Sequence, residues 1–564
     1  MDMDLDMERM AGDGKAKLAA VDLSQYSLSW DLLLIGIVTL VVGMVGYASW
    51  RSRTVNLPPG PRNWPVIGAL FEMDPKFNGV LQKFAKSYGD VAFFRVGVQK
   101  LVVVSSAEVA EELLRQKDAE FCDRATAMNR SASKYTGIEG TVFPFANYDT
   151  ELKLHRKLST TEFFTIAKIK SYEKLRTQEV MVMVEKIFHA IGQHSNDSTV
   201  NGGTQKVNMG IRGTGMALVR NIVFALCIGE RFDSLPPDDE LTEFADIHKN
   251  LVEIFMSVNL VDYFPWLTWF DPQGLLKRMK ILGKRQTKFF EMILERRRQS
   301  TKQKRESGVS EGADEGRNFV DVLLRAQEDG TKITDIGIMG TILTILSAGI
   351  DTVGAEIEWI MLELARHPEM LQRLQYELDA FVGKQRPLDE NDLTYMPYLN
   401  AVILETLRLH PSIPYSFPHV NMAPATLGGY NIPANTAVIA NFYGIGRDPR
   451  TWEDPLQFNP DRFMARGSSV SSDSIKANGN FYNLLPFSSG RRVCPGYNLG
   501  ILMLLRTVGT LVHAFDWAPP AGMSPQDLSI EDVGSFALYP NPDLYLVPKP
   551  RLSPDVYRSS IPIT

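Results

Sequence analysis

Ten residues near the C-terminus, Phe487-Ser488-Ser489-Gly490-Arg491-Arg492-Val493-Cys494-Pro495-Gly496, constrain this chain more than any other segment. They lead into an apolar helical pattern, Tyr497 to His513, so Cys494 stands near a helix N-terminus. Unpaired amides and the helix dipole favour an anion there. The position predicts a thiol whose pKa is lowered, available as a thiolate to a metal ion. Gly490 and Gly496 permit a tight turn and a close approach of backbone to a flat partner. Arg492 offers charge-assisted hydrogen bonds to an anionic group, and Phe487 can cover the sulfur. For Cys494 taken alone, a buried structural cysteine beside a helix cap is the competing reading.

The other cysteines, Cys122 and Cys227, are too few and too widely spaced for a disulfide framework, which points to a reducing compartment. With 44% hydrophobic and 22% charged residues, the 564-residue chain has material for a large core. A formal net charge of -6 gives no electrostatic reason to expect nucleic acid as a partner. Leu32 to Trp50 carries no charge and approaches the roughly 20 residues that a bilayer span needs. Acidic residues precede it, and Arg51 and Arg53 follow at once, which predicts a cytosolic C-terminal bulk. A buried core helix is the alternative for this run.

Leu57-Pro58-Pro59-Gly60-Pro61 and Trp64-Pro65 read as a stiff, non-helical connector. Val91–Val98 and Leu101–Val104 read as a hairpin with Gln99 and Lys100 at its turn, and helical patterns dominate from about Ala107 to His410. Gln299–Arg317 and Arg466–Asn480 are polar enough to be surface loops. Thr334 to His367 predicts one long helix stopped before Pro368, with Ala348-Gly349-Ile350-Asp351-Thr352 at its middle. There Thr352 can hydrogen-bond back to the Ala348 carbonyl, loosening the ladder. Glu405 and Arg408 share a helix face at i,i+3, where a surface pair is the bland reading.

The spacing F-x-x-G-x-R-x-C-x-G is similar to the haem loop of the cytochromes P450. Glu405-Thr406-Leu407-Arg408 resembles that family's E-x-x-R, and Pro460-Asp461-Arg462-Phe463 its P-E-R-F, with Asp for Glu. Ala348–Thr352 resembles its oxygen-binding A-G-x-D-T. With the apolar run, the Leu-Pro-Pro-Gly-Pro connector and the Gly490–Gly496 loop, the chain looks like a plant-type microsomal member from about Leu32 to Leu552.

The resemblance implies a mainly α fold with small β-sheets: one large catalytic domain behind an N-terminal transmembrane helix. It divides the chain into a lumenal tail (1–31), an anchor (32–50), a Pro-rich hinge (51–65), a haem-thiolate domain (66–552) and a C-terminal tail (553–564). Cys494 would ligate the iron of haem b, and Arg156, Phe487, Gly490, Arg492 and Gly496 would hold the macrocycle. Asp351 and Thr352 would relay protons, and Glu405, Arg408 and Arg462 would form a structural triad. The implied activity inserts one atom of dioxygen into a small lipophilic or aromatic metabolite. Electrons would come from NADPH through a separate NADPH–cytochrome P450 reductase, at the endoplasmic reticulum membrane, with the catalytic domain cytosolic.

Val420–Arg450, Lys549–Leu552 and Tyr263–Leu267 are loosely similar to amino-acid N-hydroxylases, so N-hydroxylation stands beside ring or chain hydroxylation. A haem-dependent hydroperoxide rearrangement and a non-catalytic haem protein are the other readings, and the intact Asp351-Thr352 pair speaks against both. Arg156 fits the arginine of the family's W-x-x-x-R, but Leu152 stands at the tryptophan, leaving His155 and Lys157 as substitute donors. Ala125 also replaces a common proline. Pocket residues are expected at Arg124–Tyr135, Val252–Phe264, Ile345–Ala348 and Ser412–His419.

Overall fold

The computed structural model describes residues 56–557 apart from 75–76, 125–129, 137–140, 198–206, 235–239, 308–317, 465–480 and 535–536, together with Leu32, Ile35, Gly36 and Thr39. The expected anchor over residues 32–50, those four positions aside, and the expected loop over 466–480 therefore lie outside the described residues. The compact body begins at Pro58. It is mainly helical with small sheets, as the sequence implies.

Its centre is the helix Asp335–Arg366. Thr334 caps the start, its Oγ1 accepting from the Gly337 amide at 3.0 Å. His367, ahead of Pro368, ends it, and Pro368 opens the next helix. This central helix is apolar around most of its circumference, which suits a core helix rather than a one-sided surface helix. It is buried almost continuously from Gly337 to Ala365, and each fully buried Ile, Leu or Val contributes about 1.5–3 kcal/mol. It packs along the helix Ile211–Ile228. Small residues set the closeness of that pair: a Cβ on Gly354 would stand 2.8 Å from Met216, and one on Gly215 would stand 3.3 Å from Ile357.

The principal sheet has four strands, in the order Val91–Val96, Gln99–Val104, Thr436–Ala440 and His419–Asn421. The two middle strands run parallel and the other pairings are antiparallel. The hairpin turn lies at Gly97-Val98 rather than at Gln99-Lys100. Gly97 takes a left-handed φ of 56°, and Gln99 and Lys100 pair across the ladder with Val96 and Arg95. The Pro-rich connector lies against this sheet: Pro59 O accepts from the Phe93 amide at 2.8 Å.

The polar stretch from Gln299 is likewise not wholly a loop, because the helix Leu275–Glu306 runs through its first eight residues. Its Lys, Gln, Arg and Glu residues are good helix formers. Gln299 bonds Glu295 one turn back at 2.8 Å, and Arg298 pairs with Asp335 at 2.7 Å.

Candidate active site

The cysteine loop is shaped by long-range backbone contacts. Gly490 has φ 69°, and a Cβ there would stand 1.9 Å from the Leu114 carbonyl oxygen. Only glycine satisfies both demands. A single 3₁₀ turn, Gly490–Arg492, follows, and the Cys494 amide donates to Phe487 O at 3.0 Å. The helix Tyr497–Ala514 then begins, placing Cys494 just before its N-terminus as the sequence predicts. Phe487 packs edge-on against Tyr497, with ring centroids 4.9 Å apart. At Gly496 a Cβ would meet the Phe164 ring at 3.3 Å.

Cys494 is open to an internal cavity yet enclosed by protein around it. Burial pushes its thiol above the ordinary range, opposed by the amides of Gly496 and Tyr497 and the charge of Arg156. The net direction is thus opposite to the sequence expectation. The anion-favouring groups at the helix start are present, and desolvation outweighs them.

The central helix lines the same cavity, with Ile345, Ala348, Gly349, Thr352, Val353 and Glu356. Thr352 Oγ1 donates to the Ala348 carbonyl at 2.6 Å, the expected back-bond. Gly349 borders the cavity, while its missing side chain would point at Val223 of the neighbouring helix, 3.4 Å away. Asp351 borders not this cavity but a smaller adjoining one, with Val252 and Phe255. Its Oδ1 accepts from Tyr539 OH at 3.3 Å, and its Oδ2 lies 3.4 Å from His248 Nε2. Burial raises its pKa; His248 and Tyr539 oppose that. The acid and the alcohol adjacent in sequence therefore face different chambers.

Sequence reasoning passed over Glu356. Its side chain is 2% exposed; Oε1 accepts from the Ser412 amide at 2.6 Å, and Oε2 has no hydrogen-bond partner. Burial pushes this carboxyl up to about 8, against the opposing bonds from Ser412. Nothing near it in sequence announces this, because Ser412 lies on a distant segment.

Three arginines converge on the cavity: Arg124, Arg156 and Arg492. Arg492 donates to Cys122 O at 2.6 and 2.8 Å and to Ala146 O at 2.8 Å; Arg124 donates to Pro144 O at 2.9 Å, and Arg156 to Val493 O at 2.8 Å. Among the described residues none forms an ion pair with a carboxylate. Burial lowers all three pKa values, Arg492 to about 10. His155 does not join them: its Nδ1 lies 2.8 Å from Thr341 Oγ1 of the central helix. Lys157 is exposed to solvent, and Leu152 is buried against Phe143 and Ala146. The further basic groups at the cavity are Arg124 and His419, both inside segments expected to line it.

Behind the cysteine loop, Glu405 and Arg408 are wholly buried. They form a two-toothed pair, with Arg408 Nε and Nη2 each 2.7 Å from a Glu405 oxygen. Arg408 also donates to Gly446 O and Pro455 O at 2.6 and 2.7 Å, and Arg462 Nε reaches Glu405 Oε1 at 3.2 Å. The three residues of the expected triad thus meet, and the surface-pair reading fails.

A sequence model of the cytochrome P450 family matches residues 58–547. The chain is a cytochrome P450. It is 33% identical over 554 residues to a flavonoid 3'-monooxygenase of Oryza sativa subsp. japonica, covering 95% of this chain and 99% of that protein. It is 32% identical over 534 residues to a flavonoid 3'-monooxygenase of Arabidopsis thaliana, covering 94% and 99%. It is also 34% identical over 551 residues to trimethyltridecatetraene synthase of Zea mays, covering 94% and 95%. A solved zebra fish cytochrome P450 with abiraterone has a TM-score of 0.66 and 24% identity, covering 84% of this chain and 99% of that one, a likeness of fold. The protein is therefore a cytochrome P450 monooxygenase of the plant type.

The family is one of haem proteins, and this cavity suits the group. Its lining includes a cysteine sulfur, the small residues Ala348 and Gly349 of the central helix, and three desolvated cations for a dicarboxylate.

Proposed function

We propose that this cytochrome P450 hydroxylates a small, lipophilic aromatic metabolite with electrons from NADPH, delivered by a separate NADPH–cytochrome P450 reductase. The observation that carries the reading is one cavity bordered both by Cys494 and by Ala348 and Thr352 of the central helix. Haem b bound there supplies the iron at which dioxygen is reduced, one oxygen atom going to substrate and the other to water.

Cys494 would ligate the iron: the Gly496 and Tyr497 amides and Arg156 favour its thiolate, and the charge of a bound iron would offset the burial that otherwise outweighs them. Arg124, Arg156 and Arg492 are assigned to the propionates, exchanging carbonyl partners for charge-assisted bonds. Gly490 and Gly496 keep the loop close, and Phe487 shields the sulfur from water. The Glu405–Arg408–Arg462 triad fixes the segments behind the loop. Thr352 keeps its proton on the Ala348 carbonyl and turns a hydroxyl oxygen toward the reacting space. Asp351, held by His248 and Tyr539, passes protons from the adjoining chamber. A hydroperoxide rearrangement or a non-catalytic haem protein has no use for this proton-handling arrangement.

Phe143 and Phe417 give the cavity flat apolar surface, with Ile345 and the smaller polar residues Thr344, Ser412 and Ser416 among its lining. That lining and the two flavonoid-hydroxylating relatives support a phenolic ring over an amino-acid amine. The enzyme is assigned to the endoplasmic reticulum membrane through residues 32–50, with the catalytic domain in the cytosol and the Pro-rich stretch from Pro58 onward part of its compact body.

The test expresses the full chain with a plant reductase and offers flavonoids and simpler phenolics under isotope-labelled dioxygen. The expected product carries one labelled oxygen and forms only with NADPH and reductase. Cys494→Ala should abolish the thiolate-type carbon monoxide difference spectrum. Unlabelled product, reductase-independent turnover or an unchanged spectrum in the variant refutes the assignment.

A further inference from the structure

Two carboxyl groups of the central helix lie near the proposed reaction space, and only one opens onto it. Asp351 is engaged by Tyr539 and His248 and borders the adjoining chamber. Glu356 borders the same cavity as Thr352 and Cys494. It lies four residues after Thr352, so the two side chains share one helix face.

The hydrogen bonding around the pair is complementary. The Thr352 hydroxyl proton is committed to Ala348 O at 2.6 Å, which leaves its oxygen to accept. Oε1 of Glu356 is committed to the Ser412 amide, which leaves Oε2, the oxygen without a partner, to carry a proton and donate. The carboxyl has no basic partner, and at 2% exposure it has little water to hold a charge. The uncharged acid is the form that this site stabilises at neutral pH.

We propose that Glu356 is a proton donor of the reaction, passing a proton from Oε2 through a cavity water held by the Thr352 hydroxyl oxygen as dioxygen is reduced. The inference rests on the monooxygenase reading above and adds a residue to it. In the step the Glu356 O–H bond breaks and a new O–H bond forms on a bridging water, which gives one of its own protons to the reduced oxygen, while Thr352, its proton still on Ala348 O, accepts a hydrogen bond that holds the water. The two electrons come from NADPH through the reductase. The carboxylate left behind is briefly held by the Ser412 amide and is reprotonated from water before the next turnover.

The experiment uses the full-length, haem-loaded enzyme with reductase in membranes and compares wild type, Glu356→Gln and Glu356→Asp. Glutamine keeps the size and the acceptor for Ser412 but has no acidic proton. The expected result for Glu356→Gln is about a tenfold fall in product per NADPH. That is below the effect of losing a sole general acid, because Thr352 and Asp351 remain. The missing electrons should appear as hydrogen peroxide, and the solvent deuterium isotope effect on product formation should rise. KM and the substrate-induced spectral shift should stay as in wild type, and Glu356→Asp should recover part of the coupling.

A readout independent of turnover is infrared spectroscopy at neutral pH. Wild type should show a protonated-carboxyl band that shifts in heavy water and is missing from Glu356→Gln. Unchanged peroxide release in Glu356→Gln overturns the proposal, as does a change confined to KM or the absence of the infrared band. If wild type gives no labelled product, the monooxygenase reading fails instead. Peroxide release and the infrared band still decide the role of Glu356.

Discussion

Replacing Glu356 by glutamine should make the protein more stable as pH rises, and the size of the effect follows from the site. The folded chain holds this carboxyl at about 8 against an ordinary value of 4.5, chiefly through burial. Below 4.5 the group is protonated in folded and unfolded chains alike, and it contributes the same stability at every pH. Between 4.5 and about 8 the folded chain keeps a proton that the unfolded chain releases. Stability therefore falls by about 1.4 kcal/mol per pH unit over that window. The whole window amounts to about 5 kcal/mol, a ceiling that water entering the cavity would lower. Glutamine has no proton to lose and still accepts from the Ser412 amide. Denaturant unfolding of wild type and Glu356→Gln at several pH values isolates the term, because all other titrating groups cancel in the difference. The variant's advantage should be small near pH 5, grow steadily and level off above pH about 8. A difference that is flat with pH, or that grows toward acid, refutes a protonated buried Glu356.

The triad gives a second measurement. Arg408→Ala removes the guanidinium from a fully buried Glu405 and leaves the carbonyls of Gly446 and Pro455 without their donor. The expected loss is about 3–5 kcal/mol, read by denaturant unfolding, together with poor haem retention. Gly490→Ala must adopt a left-handed φ and push against the Leu114 carbonyl. It should cost about 1–3 kcal/mol and weaken the thiolate-type carbon monoxide spectrum, whereas alanine at the solvent-open Gly522 should leave that spectrum intact. Thr352→Ala frees the Ala348 carbonyl and removes the cavity hydroxyl. NADPH oxidation should continue while product falls about 10- to 100-fold in favour of peroxide.

How much of this was legible in the sequence depended on how far the decisive contact reaches along the chain. The cysteine loop and the central helix were readable because their determinants are local: the Thr334 cap, the stop at Pro368, and the four-residue step from Thr352 to Ala348. The hairpin was readable as two strands, but its turn was misplaced, since only the backbone shows that Gly97 takes the left-handed turn position. Charge and polarity suggested a loop from Gln299, yet eight of those residues extend a helix whose earlier turns bury Phe289, Phe290, Ile293 and Leu294 in the core. The cationic wall was half visible. Arg156 and Arg492 sit in recognisable spacings, whereas Arg124 was expected only as a pocket residue, and its place beside the other two arginines comes from the fold. His155 looked like a substitute donor by proximity to Arg156. Helix phase sends it to the other side, against Thr341.

The acids of the central helix show why Glu356 differs in kind from its neighbours. Asp335, at the exposed end, is held below the usual carboxylate range by Arg298, with burial opposing. Glu358 is buried, which raises its pKa, but Arg212 at 2.7 Å and the Leu544 amide offset that cost. Burial also pushes Glu363 upward, and there His410 at 2.6 Å outweighs it, leaving the group below its ordinary value. Asp351 has a histidine and a phenol. Each of these carboxyls meets a cation, an imidazole or a phenol, which is how a fold ordinarily makes a buried acid tolerable. Glu356 meets one backbone amide and a serine. A residue kept only for packing would gain by being glutamine or an apolar side chain of similar volume, because a lone buried acid destabilises the fold across most of the neutral range. A proton that the site holds firmly and can release into the cavity that Thr352 borders gives the acid a use that glutamine lacks. The stability and coupling measurements should therefore move in opposite directions in Glu356→Gln, with a sturdier protein that wastes its electrons.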